Sequence, residues 1–117
     1  MPEKNDILKN LKLEFRKGTL VLAVLSQLRT KHYGYSLVET LNSKDLQIDQ
    51  NTLYPLLRRL DKQGLLESTW EVVEPRPRKY YQLNQLGKEI LEELIENYDT
   101  NYQVMTSLLK EEIKWNC

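Results

Sequence analysis

The side chains best placed for chemistry in this chain are cations, amides and phenols, gathered between Ile48 and Tyr81. From Asp49 the sequence reads D-Q-N-T-L-Y-P-L-L-R-R-L-D-K-Q-G, and Leu53, Leu56, Leu57 and Leu60 fall on one helical stripe. The opposite stripe carries Asn51, Tyr54, Arg58, Arg59 and Lys62, groups that bind phosphate oxygens and base edges. Thr52 joins them, because the first turn of such a helix approaches base edges; its alternative, shared with Asn51, is to assist the helix cap. Further along, Arg76, Arg78 and Lys79 follow a proline-interrupted segment and add cations. Nucleophilic or metal chemistry has no comparable support. His32 has no Asp, Glu, Cys or second His at ligand spacing, so a surface histidine is expected, and Cys117 is the sole cysteine, a free thiol at the last position. There is no nucleophile elbow and no glycine-rich phosphate loop, so neither an enzyme nor a cofactor is expected.

The elements that must position these residues can be read from the same stretch. Asp49 suits a helix N-cap and Gly64 the matching stop, while Pro55 removes a donor in the second turn and should tighten or kink the helix start. After Gly64 the period changes to two. Leu66, Ser68, Trp70 and Val72 alternate with Glu67, Thr69, Glu71 and Val73, and Lys79 to Leu83 resumes the pattern. Glu74-Pro75-Arg76-Pro77-Arg78 lies between, and two prolines place it at the exposed tip of a hairpin. Of Tyr80 and Tyr81, one should face inward and one outward.

Upstream, Ile7, Leu8, Leu11 and Phe15 have helical spacing, which predicts an N-terminal helix or arm over residues 1 to 16 with lysines on its solvated face. Thr19 to Leu28 is apolar nearly all round and belongs at the centre of the domain. Tyr33-Gly34-Tyr35-Ser36 reads as a turn, with the tyrosines packed beside it or, for Tyr35, touching phosphate. Leu37, Val38 and Leu41 then give a short helix ending near Asn42 or Ser43, and Leu46 and Ile48 flank a minimal strand. Two short helices so connected make a helix-turn-helix pair.

From Asn84 a last helix places Leu91, Leu94, Ile95, Tyr98, Tyr102, Met105, Leu108 and Leu109 on one broad stripe. Continuous to Ile113 it would be about 45 Å long, more than a domain of this size can cover, so a two-fold dimer is expected to bury it. Asp99-Thr100-Asn101 favours a kink, and Trp115 would finish the contact or fray with the tail. The chain is thus divided into residues 1–83, an N-terminal helix with a helix-turn-helix and wing, and 84–117, a dimerisation helix.

With 117 residues the chain can bury one core. It has neither a membrane-spanning apolar run nor a secretion signal, so a cytoplasmic protein without a membrane partner is expected. Its 17 basic and 17 acidic residues cancel overall but not locally. Arg58, Arg59, Lys62, Arg76, Arg78, Lys79 and Lys88 outnumber the acids among them, whereas Glu89 to Glu112 is strongly acidic. Local potential governs phosphate binding, so neutrality does not exclude nucleic acid.

Several motifs, in order, resemble the PadR family of bacterial transcriptional regulators: Arg16-Lys17-Gly18-Thr19-Leu20, Tyr33-Gly34-Tyr35, Asn51 to Leu60 with Gly64-Leu65-Leu66, and Arg76 to Leu83 with Gly87. The resemblance spans roughly Leu13 to Leu109 and is to the smaller branch, with a single C-terminal helix. It implies a mainly α fold with a small β wing (α+β), a winged helix-turn-helix with a long C-terminal dimerisation helix. It further implies a homodimeric repressor that binds a palindromic operator in double-stranded DNA and is released by a small molecule or signal. The matching positions suggest DNA contacts by Asn51, Thr52, Tyr54 and Arg58 or Lys62, with Arg76, Arg78 and Lys79 on the wing. Tyr98 and Tyr102 would line any site for a small hydrophobic or phenolic effector, interface packing being their alternative. Pro75 and Pro77 depart from the family's glycine-rich wing tip and stiffen it. An alternative reading is a winged-helix module that binds protein without DNA. Without DNA in the picture, Arg58 and Lys62 would form a solvated face paired with Asp61, and Tyr54 would pack beneath the helix.

Overall fold

A computed structural model describes residues 3–73 and 76–111. The chain runs α1 (Lys4–Gln27), β1 (His32–Tyr33), α2 (Gly34–Ser43), α3 (Gln50–Lys62), β2 (Leu66–Val73), β3 (Arg76–Leu83) and α4 (Gln85–Leu109). The two N-terminal helical segments are one helix. Gly18 in its middle costs about 1 kcal/mol against alanine but is not enough to break it. The halves of α1 differ sharply. Val24 and Leu25 are fully buried and Leu20 nearly so, with Leu28 buried just past the helix end, as expected, whereas Leu11, Leu13 and Phe15 are exposed.

The core collects the second half of α1, Leu37 and Leu41 of α2, the four leucines of α3, Leu66 and Leu83 at the base of the hairpin, and Leu91 from α4. Helices α2 and α3 both end in the same way. After α2, the amide of Leu46 donates to the carbonyl of Leu41 and that of Asp45 to Asn42; after α3, Leu65 donates to Leu60 and Gly64 to Asp61. Gly64 and Asp45 both take left-handed backbone angles, φ 82° and 68°. This is the Schellman ending, which satisfies the last carbonyls and reverses the chain.

The strand expected around Leu46 to Ile48 is absent. That segment is a loop, held by Asn42, whose Oδ1 accepts from the Ile48 amide at 2.9 Å. The third strand is instead β1, hidden in the sequence because it is only two residues long and abuts Gly34. The sheet order is β1-β3-β2, all antiparallel, with His32 opposite Tyr81 and Tyr33 opposite Tyr80. His32 is accordingly half-buried, not a free surface histidine. Its Nδ1 lies 3.3 Å from the Ser36 hydroxyl, and burial holds its pKa below the ordinary value.

Two helix ends leave the body. The Cα radius of gyration is 18.0 Å, against about 13 Å for a compact chain of this length, and the molecule extends 64 Å along its longest axis. Helix α4 passes unbroken through Asp99 to Asn101, where a kink was expected, and the Asn101 Nδ2 donates to Asn97 Oδ1 at 3.1 Å. Ile113, Trp115 and Cys117 lie outside the described residues.

Candidate nucleic-acid interface

Helix α3 is set by its ends and its leucine face. The Asp49 carboxylate accepts from the Thr52 amide at 2.8 Å, which holds its pKa below the usual value, chiefly through that backbone hydrogen bond. Leu53, Leu57 and Leu60 are almost wholly buried and Leu56 nearly so. The rotation this imposes leaves Asn51, Thr52, Pro55, Arg58, Arg59 and Lys62 exposed together. Pro55 sits on this solvent face, and the helix continues through it to Lys62. Its missing N–H leaves the Asn51 carbonyl without its usual helical donor, a cost that water can offset here.

Among the described residues the only ion pair is between Lys79 and Asp61, so Arg58, Arg59 and Lys62 have no carboxylate partner there. The pairing of Arg58 or Lys62 with Asp61 that the sequence allowed is not formed. Asp61 turns instead toward the hairpin, 3.6 Å from the Lys79 ammonium, and accepts from the Ser68 hydroxyl at 3.2 Å. Arg59, which the sequence places on the polar stripe of the helix without marking it as a contact, belongs with the exposed cations. Arg16 and Lys17 also help to line an open groove of about 850 Å³ between α1 and the start of α3.

Tyr54 is placed differently from its neighbours. Its ring is half-buried against Gly34, where a side chain on residue 34 would collide with it. The α2–α3 pair therefore closes over a glycine, and Tyr54 serves that packing with only part of its surface outward.

The hairpin of β2 and β3 pairs Leu66 with Leu83 at its base and Val73 with Arg76 at its far end. The turn is shorter than the sequence suggested, since β3 begins at Arg76 and Pro77 lies within it, opposite Val72. Although β3 is the middle strand, β1 covers only Tyr80 and Tyr81, so at Pro77 there is one neighbour and a missing donor is tolerated. Pro75 and the Arg76 side chain lie outside the described residues.

Arg78 and Lys79 point to opposite faces of the ribbon. Lys79 lies over the Trp70 and Tyr81 rings at 5.8 and 5.5 Å, on the α3 side. Arg78 faces the start of α2, where its Nη1 donates to the Tyr35 hydroxyl at 2.8 Å. Its guanidinium carbon stands 5.2 Å from the Tyr35 ring centre and 5.7 Å from that of Tyr33. The two rings are themselves stacked, with an interplanar angle of 8°. Tyr80 meets Tyr33 edge-on, and Lys31 lies over the Tyr80 ring at 4.7 Å. Desolvation, then the nearby Glu71, raise the Tyr33 hydroxyl pKa.

The second predicted surface divides in two. Leu91 was expected at a dimer contact, but it is 3% exposed within the protomer and belongs to its core; Leu94 and Ile95 pack against that core. Tyr98, Tyr102, Met105, Leu108 and Leu109 are exposed, with the Tyr98 and Tyr102 rings stacked at 6.3 Å.

A basic helix on a helix-turn-helix, flanked by an antiparallel wing, has close counterparts. The transcriptional regulator PadR-like family model matches residues 21–93. The chain belongs to the PadR-like family of transcriptional regulators. The crystal structure of a PadR family regulator from Eggerthella lenta is 44% identical, covers 92% of this chain and 96% of its own, and superposes with a TM-score of 0.86. A PadR-like regulator from Bacillus cereus is 30% identical with a TM-score of 0.74, over 85% of this chain and 99% of its own. The transcriptional regulator Rv3488 of Mycobacterium tuberculosis is 32% identical over 81 residues, 68% of this chain and 76% of the relative. As a PadR-like protein the chain is a winged-helix regulator and not an enzyme. No described helix is long and apolar enough to cross a membrane, and no group of three or more His, Cys, Asp or Glu among the described residues could hold a metal ion.

Proposed function

We propose that this PadR-like protein is a cytoplasmic homodimeric repressor that reads a palindromic operator in double-stranded DNA. Each protomer presents α3 to a major groove and its wing to the adjoining backbone. The observation that carries this reading is the exposed face of α3, where Arg58, Arg59 and Lys62 lie unpaired among the described residues beside Asn51 and Thr52. Cations without internal partners can neutralise phosphates and release counterions, and the amide and hydroxyl can read base edges.

The exposed stripe of α4 supports a two-fold contact between copies, in which residues 84–117 join units formed by residues 1–83. A palindrome requires the two α3 helices about 34 to 36 Å apart, one turn of DNA. An effector that enters between the α4 helices, a small hydrophobic or phenolic molecule against Tyr98 and Tyr102, would release DNA by altering that spacing. By reciprocity DNA would weaken its binding equally.

Fluorescence anisotropy tests the reading, using a labelled duplex from immediately upstream of the protein's own gene at several salt concentrations. Binding should weaken steeply with salt, and Arg58→Ala with Lys62→Ala should flatten that slope by about four, since each change removes a cation from both protomers. Binding indifferent to salt and to both changes would favour a protein-binding module instead.

A further inference from the structure

We propose that Tyr35 is a positioning residue for the wing: it holds Arg78 ready for a phosphate, and contributes to DNA affinity only through that arginine. The inference rests on the DNA-binding reading above and assigns the aromatic cluster beneath the wing a task within it.

The geometry has two parts. A hydrogen bond of 2.8 Å fixes one corner of the Arg78 guanidinium to the Tyr35 hydroxyl, and the stacked rings of Tyr35 and Tyr33 lie 5.2 and 5.7 Å from its central carbon. An arginine has five N–H donors in a rigid plane, so one bond to tyrosine leaves most of the fork for a phosphate. Among the described residues no carboxylate pairs with it, although Glu71 is its cross-strand neighbour. The chemistry that would complete this site is therefore an anion with several acceptor oxygens.

The anchor is also stiff. Tyr35 is in the first turn of α2, Tyr33 is in β1, and β1 is hydrogen-bonded to β3 two residues beyond Arg78. Tyr80, on the strand that carries the arginine, packs against Tyr33 with the two rings nearly perpendicular, at 78°. A free arginine on a two-stranded ribbon would lose rotamer freedom on meeting DNA; here much of that ordering precedes binding. Tyr35 accepts from Arg78 through its hydroxyl oxygen, and its own O–H is still a donor, so an indirect role and a direct phosphate contact differ in whether the tyrosine matters once the arginine is gone.

A double-mutant cycle on the full-length protein separates the two roles, read with the duplex from upstream of its gene. Tyr35→Phe removes the hydrogen bond and keeps the ring; it should weaken binding about fivefold with the salt slope retained. Arg78→Ala should weaken binding further and reduce the slope by about two, one for each protomer. In the Arg78→Ala background, Tyr35→Phe should then have no effect. Arg78→Lys supplies a second check, because it keeps the charge but not the fork: the slope should survive and the Tyr35 dependence should vanish. A fivefold loss from Tyr35→Phe that persists without Arg78 would overturn the proposal in favour of direct contact. So would Arg78→Ala proteins that bind like wild type, for then the cluster anchors the wing and nothing more. Wild type that fails to bind any duplex would instead remove the DNA-binding reading itself.

Discussion

Helices α3 and α4 carry similar apolar stripes, yet one is consumed inside the protomer and the other is not. Leu53, Leu57 and Leu60 of α3 are at most 2% exposed, while Tyr102 and Leu109 of α4 are 61% and 75% exposed. Periodicity makes both helices amphipathic; what differs is whether the chain can fold something over the stripe. Helix α3 is short and lies against α2 and the base of the wing. Helix α4 is about 37 Å long, and only its first turns have the body to lean on. The buried stripe fixes the orientation of the basic face, whereas the exposed one is free to determine how many such faces act together.

The sharpest way to break the contrast is to remove a side chain from the buried stripe. Leu57→Ala should cost about 2 to 5 kcal/mol, read as a loss in denaturant midpoint or Tm, because it deletes packing where nothing can collapse cheaply. A loss under 1 kcal/mol would mean that α3 is not locked as the geometry implies. The converse change is Met105→Glu with Leu108→Glu on the exposed stripe. Sedimentation should move from dimer to monomer, with the association constant down by about a hundredfold or more, while circular dichroism of the protomer stays unchanged. Loss of fold in this pair would show that the distal stripe stabilises the protomer itself.

Much of this was legible in the sequence, and the misreadings have a common cause. The α3 leucines, the Asp49 cap and the Gly64 stop are local signals, and each appears as the pattern implies. The helix-turn-helix and the wing followed from their order. What was hidden depends on contacts distant in sequence. β1 exists only because β3 comes alongside it. Tyr54 turns inward because Gly34 leaves room, and Asp61 abandons its helical neighbours because Lys79 arrives from the wing. The link between Tyr35 and Arg78 spans 43 positions and has no local signature. Leu91 lies in the core and not at a surface for a related reason: a stripe announces that it will be covered, not by what.

Within α4 itself the same contrast can be sharpened by helix propensity. Gly87 and Thr100 are both poor helix formers, so alanine should favour the helix at either position. At Gly87 the new methyl would run into the Leu65 carbonyl and the Leu83 side chain, because the helix start is pressed against the body there. Backbone cannot yield easily, so Gly87→Ala should destabilise by about 1 to 3 kcal/mol despite its better propensity.

Thr100 has no such neighbour to satisfy. It is exposed, more than three turns further along the helix, beyond the last residues that pack on the core. Only the local terms act on it, chiefly the restricted rotamers of a β-branched side chain in a helix. Thr100→Ala should therefore raise stability by about 0.5 kcal/mol, seen as a slightly higher Tm with unchanged DNA affinity. The sign carries more weight than the size. If Thr100→Ala lowered stability, its side chain would be in a contact that the protomer alone does not make, and the contact proposed between copies would have to extend round to that side of α4.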